Sequence, residues 1–415
     1  MSWISPLAKL ATLRPGEESE ALRQKLHQGW VDFYPTKGKP AMQAWEASLG
    51  TDVVQVTVQV PRRADILHAW DLVSPDDDDD DDTRRLIAQH VRTDGTIPVT
   101  LRMPLSVCSA SDQALATEER NEFGCRTLDR VDLSQLNIAD VPLVLYFHGG
   151  GLTSGSCDDS SPMDLVQRIS EASSGKPLIL ASVGYSLAPT HVFPAAPAEA
   201  LTVVDYFIQH LPSPLYNFHI LGISAGGNLA AVTGLELMRR HPPKLASLAA
   251  WVPMLDPAAN SMSFYMQRSI LWVSPAWLRW CWRCYLGLPN DNDKDDDANI
   301  NIFSLDNMAD RLAHGSNQAA WAASPWRTTK LARLVNPTLD LPSNLHQVQA
   351  PISIVTNRAD PLYDDGLTLF HALRDRGGNV EHVDHPGSHW FGTVLDPHNF
   401  QHVTNVWQKQ VFGAV

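Results

Sequence analysis

The sequence predicts an α/β architecture, with a mostly parallel sheet covered by helices on both faces. Three observations lead to it. Mainly apolar runs recur at Val141–Phe147, Lys176–Val183, Phe218–Leu221, Ala246–Val252 and Ala350–Val355, the pattern of strands buried on both faces. Segments at helical spacing separate them, such as Ala200, Leu201, Val204, Phe207, Ile208 and Leu211. Strands alternating with helices imply right-handed crossovers, which bring the strand C-termini to one edge, where ligands bind. Two glycine-rich turns, at 149–151 and 222–226, fall on that edge.

From the N-terminus, Trp3, Ile4, Leu7, Leu10, Leu22, Leu26 and Trp30 suggest short amphipathic helices within residues 1–50. Val54, Val56, Val58 and Val60 alternate with polar residues and predict a half-buried strand. Seven consecutive aspartates, Asp76 to Asp82, read as a solvated loop, because like charges at this density repel. A calcium loop would interleave its carboxylates with glycine and other oxygen donors. Gly95–Pro104 predicts a second strand, which Pro98 pushes towards an edge. Residues 105–140 read as a polar surface insertion, and Pro162–Ala172 as a helix. After Gly222-x-Ser224-x-Gly226 a helix is expected up to Pro242. Between Asp256 and Leu341 the alternation stops, and this Trp-, Asn- and Pro-rich stretch reads as an excursion over the catalytic edge. Its aromatics Phe264, Trp272, Trp277, Trp280 and Trp282 pack a small core or line a pocket. Gly378–Val383 predicts the last strand.

Composition excludes several classes. The 415 residues are 44% hydrophobic, enough for a sizeable core, and the formal charge of −14 argues against a nucleic-acid partner. Five scattered cysteines do not form a disulfide framework. Cys281-x-x-Cys284 lacks the βαβ setting of a redox pair. Met1–Ala11 has no basic region followed by a long apolar core, and Ile270–Leu288 is broken by Pro275, Arg279 and Arg283. A cytoplasmic protein without a transmembrane segment is expected, with peripheral membrane contact and oligomeric state left open.

The chemistry resides in four places. A strand that turns sharply into a helix raises Ser224 to an exposed apex beside the first N–H groups of the helix. His148-Gly149-Gly150-Gly151 follows a buried strand, and three glycines let backbone N–H groups approach a substrate. His148 itself reads as a structural support of this loop, together with Gly149. A serine hydroxyl needs a base, and the base an orienting carboxylate. Asp360 stands just past a strand end, with Pro361 fixing the turn, while Asp364 and Asp365 read as N-terminal acids of the next helix. His389 lies in the loop after the last strand, with His382 and His385 as competitors. No metal or organic cofactor is called for.

These motifs resemble the hormone-sensitive-lipase-like branch of the α/β-hydrolases. The match rests on His148–Gly151, on Tyr185–Ala196, on Gly222–Asn228, on Asp360–Gly366 and on His389-Trp390-Phe391, in that order along the chain. The resemblance implies an α/β-hydrolase fold with an eight-stranded core in residues 51–257 and 342–415, carrying insertions at 74–88 and 105–140. It implies a helical cap built from residues 1–50 and 258–341. It further implies Ser224 as nucleophile, Asp360 as acid, His389 as base, and Gly150, Gly151 and Ala225 as oxyanion donors. The expected activity is that of a carboxylesterase without cofactor, acting on a small-molecule ester. A short, acetyl-like acyl group on a hydrophobic alcohol is expected, by similarity to fungal tailoring esterases and acetyl hydrolases. An amidase or deformylase with the same triad, a lid-controlled lipase, or a non-catalytic receptor on this fold would carry the same motifs. Ile223 stands where the family usually has an acid, and Ser186 where it usually has an arginine.

Overall fold

The apolar runs assemble edge to edge because each can bury both of its faces only between two layers of helices. The computed structural model describes residues 42–44, 46–73, 81–138, 141–158, 176–212, 218–266, 273, 275–288, 317–387, 389, 405–406 and 409–411. Within them the strands are β1 (Val53–Pro61), β2 (Thr96–Pro104), β3 (Arg126–Thr127), β4 (Leu143–Phe147), β5 (Ile179–Val183), β6 (Phe218–Ile223), β7 (Leu245–Trp251), β8 (Ile352–Asn357) and β9 (Val380–His385). They form one sheet in the order β3-β1-β2-β5-β4-β6-β7-β8-β9. The β1–β2 and β2–β5 pairs are antiparallel and the others parallel. All five residues of β4 are buried. Leu143, Leu145 and Phe147 enter the larger apolar cluster, and Val144 and Tyr146 enter a second cluster with Leu221, Ala249 and Trp251. This alternation follows from the period of two along a strand.

Among the described residues the five longer helices are α1 (Asp81–His90), α2 (Ala195–His210), α3 (Ala225–Arg240), α4 (Pro275–Leu286) and α5 (Tyr363–Asp375). In α3, fourteen of the sixteen residues, Ala225 to Met238, are buried, so this helix lies inside the larger cluster rather than on the surface. The helix ends at His241, before the paired prolines Pro242 and Pro243.

Three expectations change. Pro98 does not make β2 an edge, since β2 pairs with β1 on one side and β5 on the other. The Pro98 carbonyl accepts from Gly184 N at 2.8 Å, beyond the last β2–β5 pair at Val99. The N and O of one strand residue face the same side, so the missing donor falls where the ladder has ended. The aspartate run is not loop throughout, because Asp81 and Asp82 open α1. Acids are favoured at that end of a helix by its dipole. Residues 105–138 are more than a surface insertion. They add β3 to the sheet edge and bury Phe123, Cys125, Leu128, Leu133, Leu136 and Ile138. Phe123 also lies 5.5 Å from the guanidinium of fully buried Arg102. With β3 the sheet has nine strands among the described residues, one more than the resemblance implies. Most of the expected N-terminal cap helices, Asp76–Asp80, the expected helix at 162–172, and Trp272, Trp390 and Phe391 lie outside the described residues.

A buried polar pair fastens β6 to β7. His219 Nδ1 lies 2.8 Å from Ser247 Oγ, and burial pushes the imidazole down to about 4. The unfolded chain therefore takes up this proton first, near pH 6.5. Stability from the neutral imidazole is complete above that pH and is lost as pH falls through the folded value, by about 3 kcal/mol at pH 4. Urea unfolding of His219→Gln between pH 7 and 4 should show an acid limb shallower by about that amount.

Candidate active site

Ser224 is the hinge between β6 and α3, with φ 60° and ψ −121°. A non-glycine residue in this region costs on the order of 1–3 kcal/mol and persists only when its surroundings hold it. They do so here. Ser224 N donates to Trp251 O at 2.8 Å, while Ser224 O accepts from Met254 N and Asn228 N, each at 3.2 Å. A side chain on Gly222 would run into the carbonyl of Gly226, and one on Gly226 into the carbonyls of Phe147 and His148. The two glycines therefore allow the turn to close and press it against the end of β4.

The loop after β4 is held just as firmly. Gly150 and Gly151 have φ 119° and 64°. The Gly150 carbonyl accepts from Thr153 N at 3.1 Å, Ser154 N at 3.0 Å and Ser154 Oγ at 2.9 Å. That carbonyl is turned back into the loop. Among the described residues, none accepts a hydrogen bond from the N–H of Gly150, Gly151 or Ala225. His148 stacks on Tyr185 at 4.2 Å between ring centroids, and its Nδ1 donates to Gly149 O at 2.8 Å. Tyr185 Oη donates to His148 O at 2.7 Å. A Cβ on Gly149 would lie 3.4 Å from Ser224 Cβ, so loop and turn are in van der Waals reach.

Asp360 and His389 meet. His389 Nδ1 donates to Asp360 Oδ2 at 2.7 Å, and Asp360 Oδ1 accepts from Leu362 N at 2.9 Å. Asp360 is fully buried, and Ser224 and His389 are 4% and 6% exposed. With Nδ1 carrying the proton, His389 Nε2 is the basic nitrogen. The competing histidines are engaged elsewhere. His382 Nε2 lies 2.8 Å from Thr356 Oγ1 and its ring stacks on Phe370. His385 Nδ1 accepts from Gly387 N at 2.9 Å.

Several contributors went unnoticed in the sequence. Asp364 and Asp365 open α5, as expected, but both also reach across to the root of the excursion. Asp365 Oδ2 accepts from Leu255 N at 2.8 Å and Asp256 N at 3.0 Å. Burial, then the charge of Asp256, push the Asp365 carboxyl well above the usual range. Ser263 N donates to Asp364 Oδ2 at 2.8 Å, and Ser263 Oγ donates to Pro361 O at 2.6 Å. Asn228 Nδ2 donates to Met254 O and Val335 O, joining α3 to both ends of the excursion. The position of Ser186 is explained by Glu199, which accepts from Ser186 N and Oγ and from Arg62 Nε at 2.8 Å. The Arg62 and Glu199 side chains are 6% and 5% exposed, so the cation at this site comes from the end of β1. The sequence contains no local signal for Ser263 or Arg62, since their partners lie about a hundred residues or more away.

In the excursion, α4 sets Trp277 and Cys281 against Gly151. Its other face buries Leu278, Trp282 and Tyr285, and Tyr285 O accepts from Phe193 N at 2.7 Å. All five cysteines are buried free thiols, and burial raises Cys125 and Cys157 to about 11. Among the described residues, no group of three or more His, Cys, Asp or Glu could hold a metal ion, and no helix is long and apolar enough to cross a membrane.

A family model described as alpha/beta hydrolase fold matches residues 144–318, which contain both glycine-rich turns. The chain has the α/β-hydrolase fold. Solved structures share this fold across nearly the whole length of the chain. The esterase LipW from Mycobacterium marinum superposes with a TM-score of 0.56 at 16% identity, covering 98% of this chain and 94% of that one. The Pyrobaculum calidifontis esterase gives 0.52 at 18%, covering 95% and 98%. Among curated relatives, Esterase LipI of Mycobacterium tuberculosis is 31% identical over 149 residues, 34% of this chain and 45% of its own. Versiconal hemiacetal acetate esterase stcI of Emericella nidulans is 37% identical over 102 residues, 25% of this chain and 33% of its own. The chain thus spans less than half the length of these two curated relatives.

The contact of Gly226 with β4 yields a test of the assembly. Gly226→Ala places a methyl against two backbone carbonyls that cannot retreat without moving β4. It should destabilise the protein by about 1–3 kcal/mol in urea unfolding, whereas Ala at Gly50, which has open space, should cost less despite its φ of +64°.

Proposed function

We propose that this α/β-hydrolase is a serine carboxylesterase. The observation that carries the reading is the buried His389–Asp360 hydrogen bond at 2.7 Å, formed in a molecule that also holds Ser224 in a strained turn beside open N–H donors. Ser224 Oγ attacks the ester carbonyl while His389 Nε2 takes its proton. Asp360 holds the imidazole in the required tautomer and stabilises its positive charge. The oxyanion is received by the N–H groups of Gly150, Gly151 and Ala225. A donor of this kind is worth roughly 2.7–4 kcal/mol where one has been removed from another enzyme. The alcohol leaves with the proton from His389, and water then attacks the acyl-enzyme by the same sequence in reverse. His148 and Gly149 act through the loop and do not touch the reacting atoms.

The names of the relatives support ester chemistry, and that of the Emericella nidulans relative includes an acetate ester. A short acyl group on a hydrophobic alcohol fits an excursion whose α4 carries Trp277, Trp280 and Trp282. Ser224→Ala should lower hydrolysis of p-nitrophenyl acetate and butyrate by about 10⁴-fold or more. It should also abolish labelling by a fluorophosphonate. Undiminished turnover in this variant would remove Ser224 from the mechanism. Paired p-nitrophenyl acetate and p-nitroacetanilide assays on the wild type measure ester against amide preference, with the ester expected to dominate.

A further inference from the structure

The donor loop is contacted from outside by one face of α4. A Cβ built on Gly151 would collide with Cys281 Sγ and lie 2.8 Å from Trp277 Cη2 and 3.0 Å from Cζ2. The far edge of the indole therefore touches a residue assigned above to the oxyanion site. Trp277 and Cys281 are four residues apart, so they share one helical face. Cys281 is fully buried and lies 3.6 Å from Thr153 Oγ1, which fixes the helix against the loop. Trp277 is only half-buried. Of the other large apolar residues of α4, Leu278, Trp282 and Tyr285 are buried on the core side, with the Tyr285 ring 5.7 Å from that of Phe193, and Trp280 is half-buried against the larger apolar cluster.

The same loop touches Ser224 at its other end, through Gly149. Two residues separate by at most about 7.6 Å between Cα atoms, so the indole edge stands one loop-width from the nucleophile. A scissile carbonyl whose oxygen lies about 3 Å from the donors has its substituents within the next few ångströms. A rigid ring there meets the chain of a long acyl group within a few methylenes of the carbonyl.

We propose that Trp277 is a specificity-determining residue that ends the acyl subsite and restricts this enzyme to esters of short carboxylic acids. The proposal rests on the carboxylesterase reading. Cys281 and Thr153 hold α4 in register so that the ring cannot slide away from Gly151.

The test compares the wild type, Trp277→Ala and Trp277→Leu on p-nitrophenyl acetate, butyrate, octanoate and dodecanoate. A second series keeps the acetyl group and varies the alcohol among methyl, p-nitrophenyl and 2-naphthyl. The wild type should prefer acetate or butyrate. The ratio of kcat/KM for octanoate over acetate should rise at least about tenfold in Trp277→Ala and less in Trp277→Leu, since each methylene admitted to an apolar pocket is worth about tenfold or more. This ratio does not depend on the folded fraction, and Trp277→Leu retains apolar volume if the alanine variant fails to fold. An unchanged ratio in the leucine variant and in any active alanine variant would overturn the proposal. So would a wild type that already prefers dodecanoate, or a change confined to the alcohol series. A wild type that hydrolyses no ester would overturn the carboxylesterase reading instead.

Discussion

The approach of Gly226 to the carbonyls of Phe147 and His148 joins α3 to the end of β4, and the described residues around Ser224 are arranged about it. A side chain at this point would part α3 from β4. Without one, the first turn of α3 and the start of the glycine loop share a single rigid seat. The backbone of Ser224 then has little choice. Its N–H is taken by β7, its carbonyl by Met254 and Asn228, and its φ is forced positive. Such strain is held by surroundings that over-determine the residue. The seat at Gly226 fixes the loop and the turn together, and in the proposed mechanism donors fixed in this way cost no reorganisation as charge develops.

The acid side is held differently. Asp360 depends on a turn that the excursion grips directly, through Ser263 on Pro361 and Asp364 and through Leu255 and Asp256 on Asp365. Asp365 is buried and accepts both of those backbone N–H groups, and burial with the charge of Asp256 raises its carboxyl well above the usual range.

Local patterns were legible wherever one physical rule acted alone. Buried parallel strands must be apolar on both faces, so β4, β5, β6, β7 and β8 stood out as runs. The turn at Ser224 needs small neighbours, which made Gly222 and Gly226 visible. His389 was separable from His382 and His385 because a strand residue has its side chain engaged by the sheet layers, as His382 is with Thr356 and Phe370. Distant pairings left no such trace. Ser263 is an ordinary serine until it meets Pro361, and Arg62 an ordinary surface cation until it meets Glu199. Pro98 misled because the rule for proline in strands concerns the hydrogen bond at one residue, whereas edge or centre is a property of the whole strand. Residues 105–138 misled because polar residues dominate by number while a few apolar ones decide burial.

Ile223 shows how a departure from a family pattern can be absorbed. It packs against the second apolar cluster, and its carbonyl faces Gly149, where an added Cβ would lie 3.1 Å away. An acidic side chain at this position would need polar partners of its own, because an unpaired charge against that cluster is costly. The isoleucine needs none. What holds the loop against the turn here is backbone, through Gly149 and Gly226, and a backbone contact is indifferent to which side chain stands at 223. The supports most often varied without loss of the reactive geometry should therefore be side chains such as this one, while the glycines and the buried carboxylates are bound to their places by contacts that no other residue can make.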